Sequence, residues 1–86
     1  MPKISMFFGI AVYMYFDDHN PAHFHVRYNE FKASININTL AIMEGALPNR
    51  ALKMVMEWAE VHQSELLANW QLCATMQQPK SIEPLQ

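Results

Sequence analysis

Hydrophobic and polar positions alternate through the first half of the chain and recur at helical spacing through the second. Residues 4–16 are rich in Phe, Ile, Val, Tyr and Met, with Gly9 in their midst. That predicts two strands, or one long strand bent at the glycine. Residues 23–28 alternate strictly, with His23, His25 and Arg27 on one face and Phe24, Val26 and Tyr28 on the other. Residues 31–38 alternate again, Phe31, Ala33, Ile35 and Ile37 against Lys32, Ser34, Asn36 and Asn38. A two-residue turn at Asn29-Glu30 joins these segments into a hairpin with one apolar face. In that register Tyr28 opposes Phe31, His25 opposes Ser34 and His23 opposes Asn36. Residues 40–43 predict a short fifth strand ended by Glu44-Gly45.

From Asn49 to about Gln77 the chain has neither Pro nor Gly, and Pro48 suits a first helical turn. Leu52, Val55, Ala59, His62, Leu66, Trp70 and Cys73 recur at steps of three and four. A break at residues 62–64 would give two helices, but the stripe keeps its phase and favours one. Residues 78–86, with Pro79 and Pro84, carry no periodicity and form an extended tail. The expected fold is α+β. Residues 1–77 form a single domain, an antiparallel four- or five-stranded β-meander with one long C-terminal helix packed on one sheet face. Phe24, Val26, Phe31, Ala33, Ile35 and Ile37 supply the sheet side of the core, and Leu52, Val55, Ala59, Leu66 and Trp70 the helix side. Met54, Trp58, Val61 and Leu72 fall on a helix flank that the sheet cannot also cover. Such a flank implies a homo-oligomer. The alternative is that residues 82–85 fold back over it.

Composition narrows the class. At 86 residues the chain is one domain, of a size that buries only about 60–65% of its unfolded surface and gains from a partner subunit. Hydrophobic residues make up 51% and charged residues 16%, which excludes a disordered chain. Net charge is −2 and the six Lys and Arg residues are scattered, so bulk charge does not drive nucleic-acid binding. Cys73 is the one cysteine; it fits a reducing compartment and packs as a small hydrophobe. No leader-like N-terminus and no apolar run of membrane-spanning length is seen, which makes the expected location cytoplasmic, with no membrane partner.

Chemistry concentrates in the segment from Asp17 to His25. His19, His23 and His25 lie within seven residues, preceded by Asp17 and Asp18. One reading is a site for a divalent transition metal, with His19, His23, His25 and Asp17 as ligands. A second is metal-free acid–base cleavage of a phosphodiester. There His23 and His25 work as a pair and Arg27 holds the phosphate, with Tyr13 or Tyr15 beside them. Asp18, His19, Ser34 and Asn36 would then bind ligand around the rim. The plain alternative is a solvated hairpin face with an aspartate capping the turn. His62 reads as a packed histidine bonded to the sheet, and Trp58 and Trp70 as packing residues.

The stretch Asp18-His19-Asn20-Pro21-Ala22-His23-Phe24-His25 resembles the bacterial domain-of-unknown-function family 4160. The likeness continues through Glu44-Gly45-Ala46-Leu47-Pro48, Glu57-Trp58-Ala59-Glu60 and Glu65-Leu66-Leu67-Ala68-Asn69-Trp70. Ala22 stands where the family commonly has a second proline. The resemblance brings no catalytic residues with it. It implies a short protein encoded beside another small protein, an arrangement similar to a toxin–antitoxin pair. The leading expectation is therefore a toxin–antitoxin-type component acting on or binding RNA through its His/Arg sheet face. Two alternatives stand beside it: a protein-binding module, homo-oligomeric or paired with the small protein encoded alongside, and a His/Asp metal-binding protein.

Overall fold

The computed structural model describes residues 2–86. Five strands form one antiparallel sheet in chain order: β1 (Lys3–Phe7), β2 (Ile10–Tyr13), β3 (His23–Tyr28), β4 (Phe31–Asn36) and β5 (Ile42–Gly45). Two helices follow, α1 (Asn49–Val61) and α2 (Gln63–Ala74). The β3–β4 hairpin has the register read from its alternation: Tyr28 opposite Phe31, His25 opposite Ser34, His23 opposite Asn36. The β1–β2 turn is Phe8-Gly9, with φ of 50° and 79°, as a two-residue hairpin with both central residues left-handed requires. Gly45 holds β5 against β4. A Cβ there would sit 2.1 Å from the Lys32 carbonyl oxygen.

One face of the sheet carries the core. Val12, Phe24, Val26, Ala33, Ile35 and Ile37 are buried, together with Ala51, Val55, Ala59, Leu66, Trp70 and Cys73 of the helices. Phe31 and Leu52 are not core residues as the periodicity suggested. Phe31 opens β4 beside the Asn29-Glu30 turn and stays 37% exposed, and Leu52 is half-buried at the margin of the helix face.

The single long helix is a pair. His62 breaks it at φ −108°, ψ 20°, with no Pro or Gly involved. The cause is tertiary: Gln63 Nε2 donates to the carbonyls of Ile37 at 2.6 Å and Asn38 at 3.1 Å. Gln63, not His62, makes the bond toward the sheet, to the turn that follows β4. His62 instead pairs with Glu65 one turn on.

Trp58 does not belong to an open flank. It is 1% exposed, its ring packs 5.3 Å from Phe7 and 6.1 Å from Phe24, and its indole N–H donates to the Glu83 carbonyl. Residues 78–86 contain no helix or strand, and they lie back along the domain. Ile82 is buried, and its N–H donates to the Ile4 carbonyl while its own carbonyl accepts from Ser5 Oγ. Asn69 makes two bonds to the Lys80 backbone. Of the remaining flank residues, Met54 and Leu72 are half-buried and Val61 is exposed. No helix among the described residues is long and apolar enough to cross a membrane.

The tail therefore acts as part of the core. Ile82→Ala should lower stability by about 2–4 kcal/mol in urea unfolding. A tail that merely trailed in solvent would give a change within about 0.5 kcal/mol.

Candidate metal centre

Between β2 and β3 the chain makes a loop that is tied to the end of α2. Asp17 takes a left-handed φ of 49°, and its N–H donates to the Cys73 carbonyl at 3.0 Å. That carbonyl lies in the last turn of α2, where helix carbonyls lack internal partners. A cis peptide joins Asn20 to Pro21. The loop turns Asp18 inward, leaving its side chain 15% exposed. Asp18 Oδ1 accepts from the His19 backbone N–H and lies 2.9 Å from His19 Nδ1. Asp18 Oδ2 lies 2.9 Å from His23 Nε2 and 3.3 Å from His25 Nε2.

His23 does not lie on an open face. It is 2% exposed, because it begins β3 where the loop closes over the sheet and the Trp70 ring of α2 stands 5.2 Å away. Its Nδ1 lies 2.7 Å from the Pro21 carbonyl oxygen. A carbonyl only accepts, so Nδ1 is the donor to Pro21, and Nε2 is the nitrogen that faces Asp18. His25 is half-buried, with Tyr13 stacked 5.7 Å away and Tyr15 edge-on at 4.4 Å.

One donor atom from each of Asp18, His23 and His25 falls in a cluster within 4.8 Å. Metal bonds of about 2.0–2.2 Å place neighbouring ligand atoms roughly 2.9–3.4 Å apart, depending on the coordination angle. The Asp18–His23 and Asp18–His25 separations, 2.9 and 3.3 Å, fall in that range. Two imidazole nitrogens and one carboxylate oxygen suit zinc, iron or manganese better than magnesium or calcium. The His25–Asp18 contact is a hydrogen bond, and His23 Nε2 approaches the same carboxylate oxygen.

Electrostatics act on the pKa values of Asp18 and His25 in the same direction, both lowered. Burial alone would raise the Asp18 carboxyl, but hydrogen bonds from His25 and the His19 N–H, with the charges of His23 and His19, hold it below the usual aspartate range. Burial pushes His25 down and the nearby His23 adds to this, against the opposing pull of Asp18. His25 is therefore neutral at pH 7. Burial and the neighbouring Tyr13 push the Tyr15 hydroxyl up, so it stays protonated.

Of the other expected site residues, Ser34 and Arg27 share a depression with His25, and Asp17 and Asn36 lie outside it. Asp17 is exposed and its backbone anchors the loop; the inward carboxylate is Asp18. His19 has a side chain 79% exposed and touches the cluster through the far oxygen of Asp18. Asn36 does not project a free amide to a ligand, since its Oδ1 accepts from the Asn38 and Thr39 N–H groups and shapes the β4–β5 turn. Ser34 is buried in the wall of a depression of about 350 Å³ that Tyr13, Tyr15, His25, Arg27, Lys32 and Glu44 also line. Arg27 is exposed, its guanidinium carbon 5.8 Å above the Tyr13 ring. A larger groove of about 790 Å³ runs between α2 and residues 77–82, away from these histidines.

Lys32 and Glu44 were not singled out from the sequence. The signal was there for Lys32, which falls on the polar face of β4 and pairs with Arg27 in the hairpin register. Trp70 as a wall of the histidine cluster had no such signal.

The model of the family described as Domain of unknown function (DUF4160) matches residues 9–71, and the chain belongs to that family. The matched span includes Asp18, His23 and His25. No curated protein and no solved structure matches the chain.

Cys73, whose carbonyl holds the loop, has its own side chain 1% exposed, and burial pushes its thiol up. It is not poised as a thiolate ligand or nucleophile. Ellman's reagent should label it at least ~100-fold more slowly in the folded protein than in guanidinium. Fast labelling of the folded chain would contradict that placement.

Proposed function

We propose that the protein binds a divalent transition-metal ion through Asp18, His23 and His25, and that the centre is of the open, catalytic type. The observation that carries this is the orientation of His23. Its Nδ1–H is committed to the Pro21 carbonyl, and its Nε2 converges with His25 Nε2 on Asp18 Oδ2. A backbone carbonyl behind a ligating histidine is the usual way of fixing its tautomer and ring orientation. Three protein ligands leave at least one position for water or substrate, the arrangement of a catalytic rather than a structural ion. His25 also lines the depression on the open sheet face, which supports an open position on that side. There the ion can polarise a bound oxygen and lower the pKa of its water toward neutrality.

An RNA-directed role in a toxin–antitoxin-type pair is the second reading. It is favoured by exposed Arg27 on the same strand face as His25. The buried position of His23 argues against a solvent-facing pair of acid and base histidines, so in this reading too the ion supplies the chemistry. A protein-binding or homo-oligomeric role has its support in exposed Phe8, Met6 and Val61 rather than in Trp58.

Elemental mass spectrometry on untagged protein tests the metal reading. Wild-type protein loaded with zinc and desalted should retain about one equivalent per chain. Asp18→Asn and His25→Ala, with circular dichroism unchanged, should retain almost none. The loaded protein should also melt higher than the chelated one, because the ion binds only the folded chain. Absence of retained metal in the folded wild type would overturn the proposal.

A further inference from the structure

We infer that the depression beside this centre binds the phosphate group of a phosphate ester, held between the metal ion and the Arg27–Lys32 pair; the ion's share of that contact rests on the metal reading above. Arg27 and Lys32 stand directly opposite each other on β3 and β4. Like charges in that relation repel, with Cβ atoms only about 5 Å apart. Among the described residues no carboxylate pairs with either; every ion pair found involves a histidine. Two unneutralised cations side by side, on a face that no helix covers, form a receptor for a dianion.

The location completes the argument. Arg27 follows His25 by two residues on the same strand face, a separation of about 7 Å. A phosphate has oxygens to spare for both: one toward the open metal position, the others toward the guanidinium, which presents paired N–H donors. Tyr13 lies beneath Arg27 and opposite His25, so one aromatic ring braces both contacts. Lys3 pairs with Tyr13 in the outer strand and adds a third exposed cation to the same face. Opposite this positive side, Glu44 pairs with Ser34 across β4 and β5. Their oxygens accept hydrogen bonds, which suits an alcohol portion carrying hydroxyl groups. A ribonucleotide backbone and a small sugar phosphate share this chemistry.

Calorimetric titration of zinc-loaded protein with inorganic phosphate, uridine 5′-monophosphate and a short single-stranded oligouridylate tests the inference. The wild type should bind, and Arg27→Gln/Lys32→Gln should weaken binding by about 10- to 100-fold at unchanged zinc content. The variant removes a like-charge repulsion, so its melting temperature should not fall. Arg27→Lys keeps the charge but not the fork, and should lose less. Tighter binding of the oligonucleotide assigns the source to an RNA strand, and tighter binding of the monophosphates to a small ester; either supports the shared chemistry. Equal binding by wild type and double variant would overturn the inference, as would failure of zinc-loaded wild type to bind any of the three. If zinc does not load but metal-free protein binds phosphate in an Arg27- and Lys32-dependent way, the cationic site stands and the metal reading alone falls.

Discussion

The pleat of β3 is the constraint from which both halves of the molecule follow. Successive side chains of a strand point to opposite faces. Phe24 and Val26 therefore go to the helices and are fully buried, while His25 and Arg27 go to the other side. Its neighbours are locked to the same phase by register: Val12 pairs with Val26, Tyr13 with His25, and Ser34 with His25. A slip of one residue would send the histidine and arginine into the core and the Phe and Val into solvent. The apolar face thus fixes the polar one. The positions of His25, Arg27, Lys32 and Ser34 are as firmly specified as the core itself, though they lie on the opposite face.

His23 belongs to the same series, yet it is buried, and the reason lies at the end of the strand. The 14–22 loop must return from β2 to β3, and it does so under the C-terminal turn of α2. The Asp17 N–H bonds to the Cys73 carbonyl there, and Trp70 closes on the His23 ring. A buried imidazole must have its polar atoms satisfied. The Pro21 carbonyl takes one nitrogen and Asp18 the other. The burial of His23 and the convergence of the cluster are therefore one arrangement: the carboxylate beside His23 is also within reach of His25. Asp18 Oδ2 is the point on which the two imidazole nitrogens converge.

Much of this was legible in the residues. Alternation specified the hairpin, its register and the polar face, and the spacing of Val55, Ala59, Leu66 and Trp70 specified the helix side of the core. What was illegible depended on contacts between segments distant in the chain. The break at His62 comes from Gln63 reaching the carbonyls of Ile37 and Asn38, and helical periodicity contains no trace of that. Trp58 looked surplus because its partners, Phe7 and the Glu83 carbonyl, lie 51 and 25 residues away in sequence. Asp17 and Asp18 are adjacent and chemically alike. Only the left-handed backbone at Asp17 decides which carboxylate turns inward, and that is set by a helix end dozens of residues later.

The division of labour also explains why so small a domain can carry an unpaired cationic face. A chain of 86 residues has little stability to spare, and opposed Arg27 and Lys32 draw on it. The structure offsets this on the other face, where the tail adds Ile82 to the core and Trp58 is covered from both sides. Arg27 is also laid over the Tyr13 ring, a favourable contact that needs no carboxylate. The cations are thereby held in place without being neutralised. A salt bridge to Glu44 would have been more stable and would have left nothing for an anion to bind. Glu44 is instead set opposite Ser34, next to the histidine row rather than the cationic one. The charge pattern of this face follows from strand register, and that register is maintained by side chains on the opposite side of the sheet.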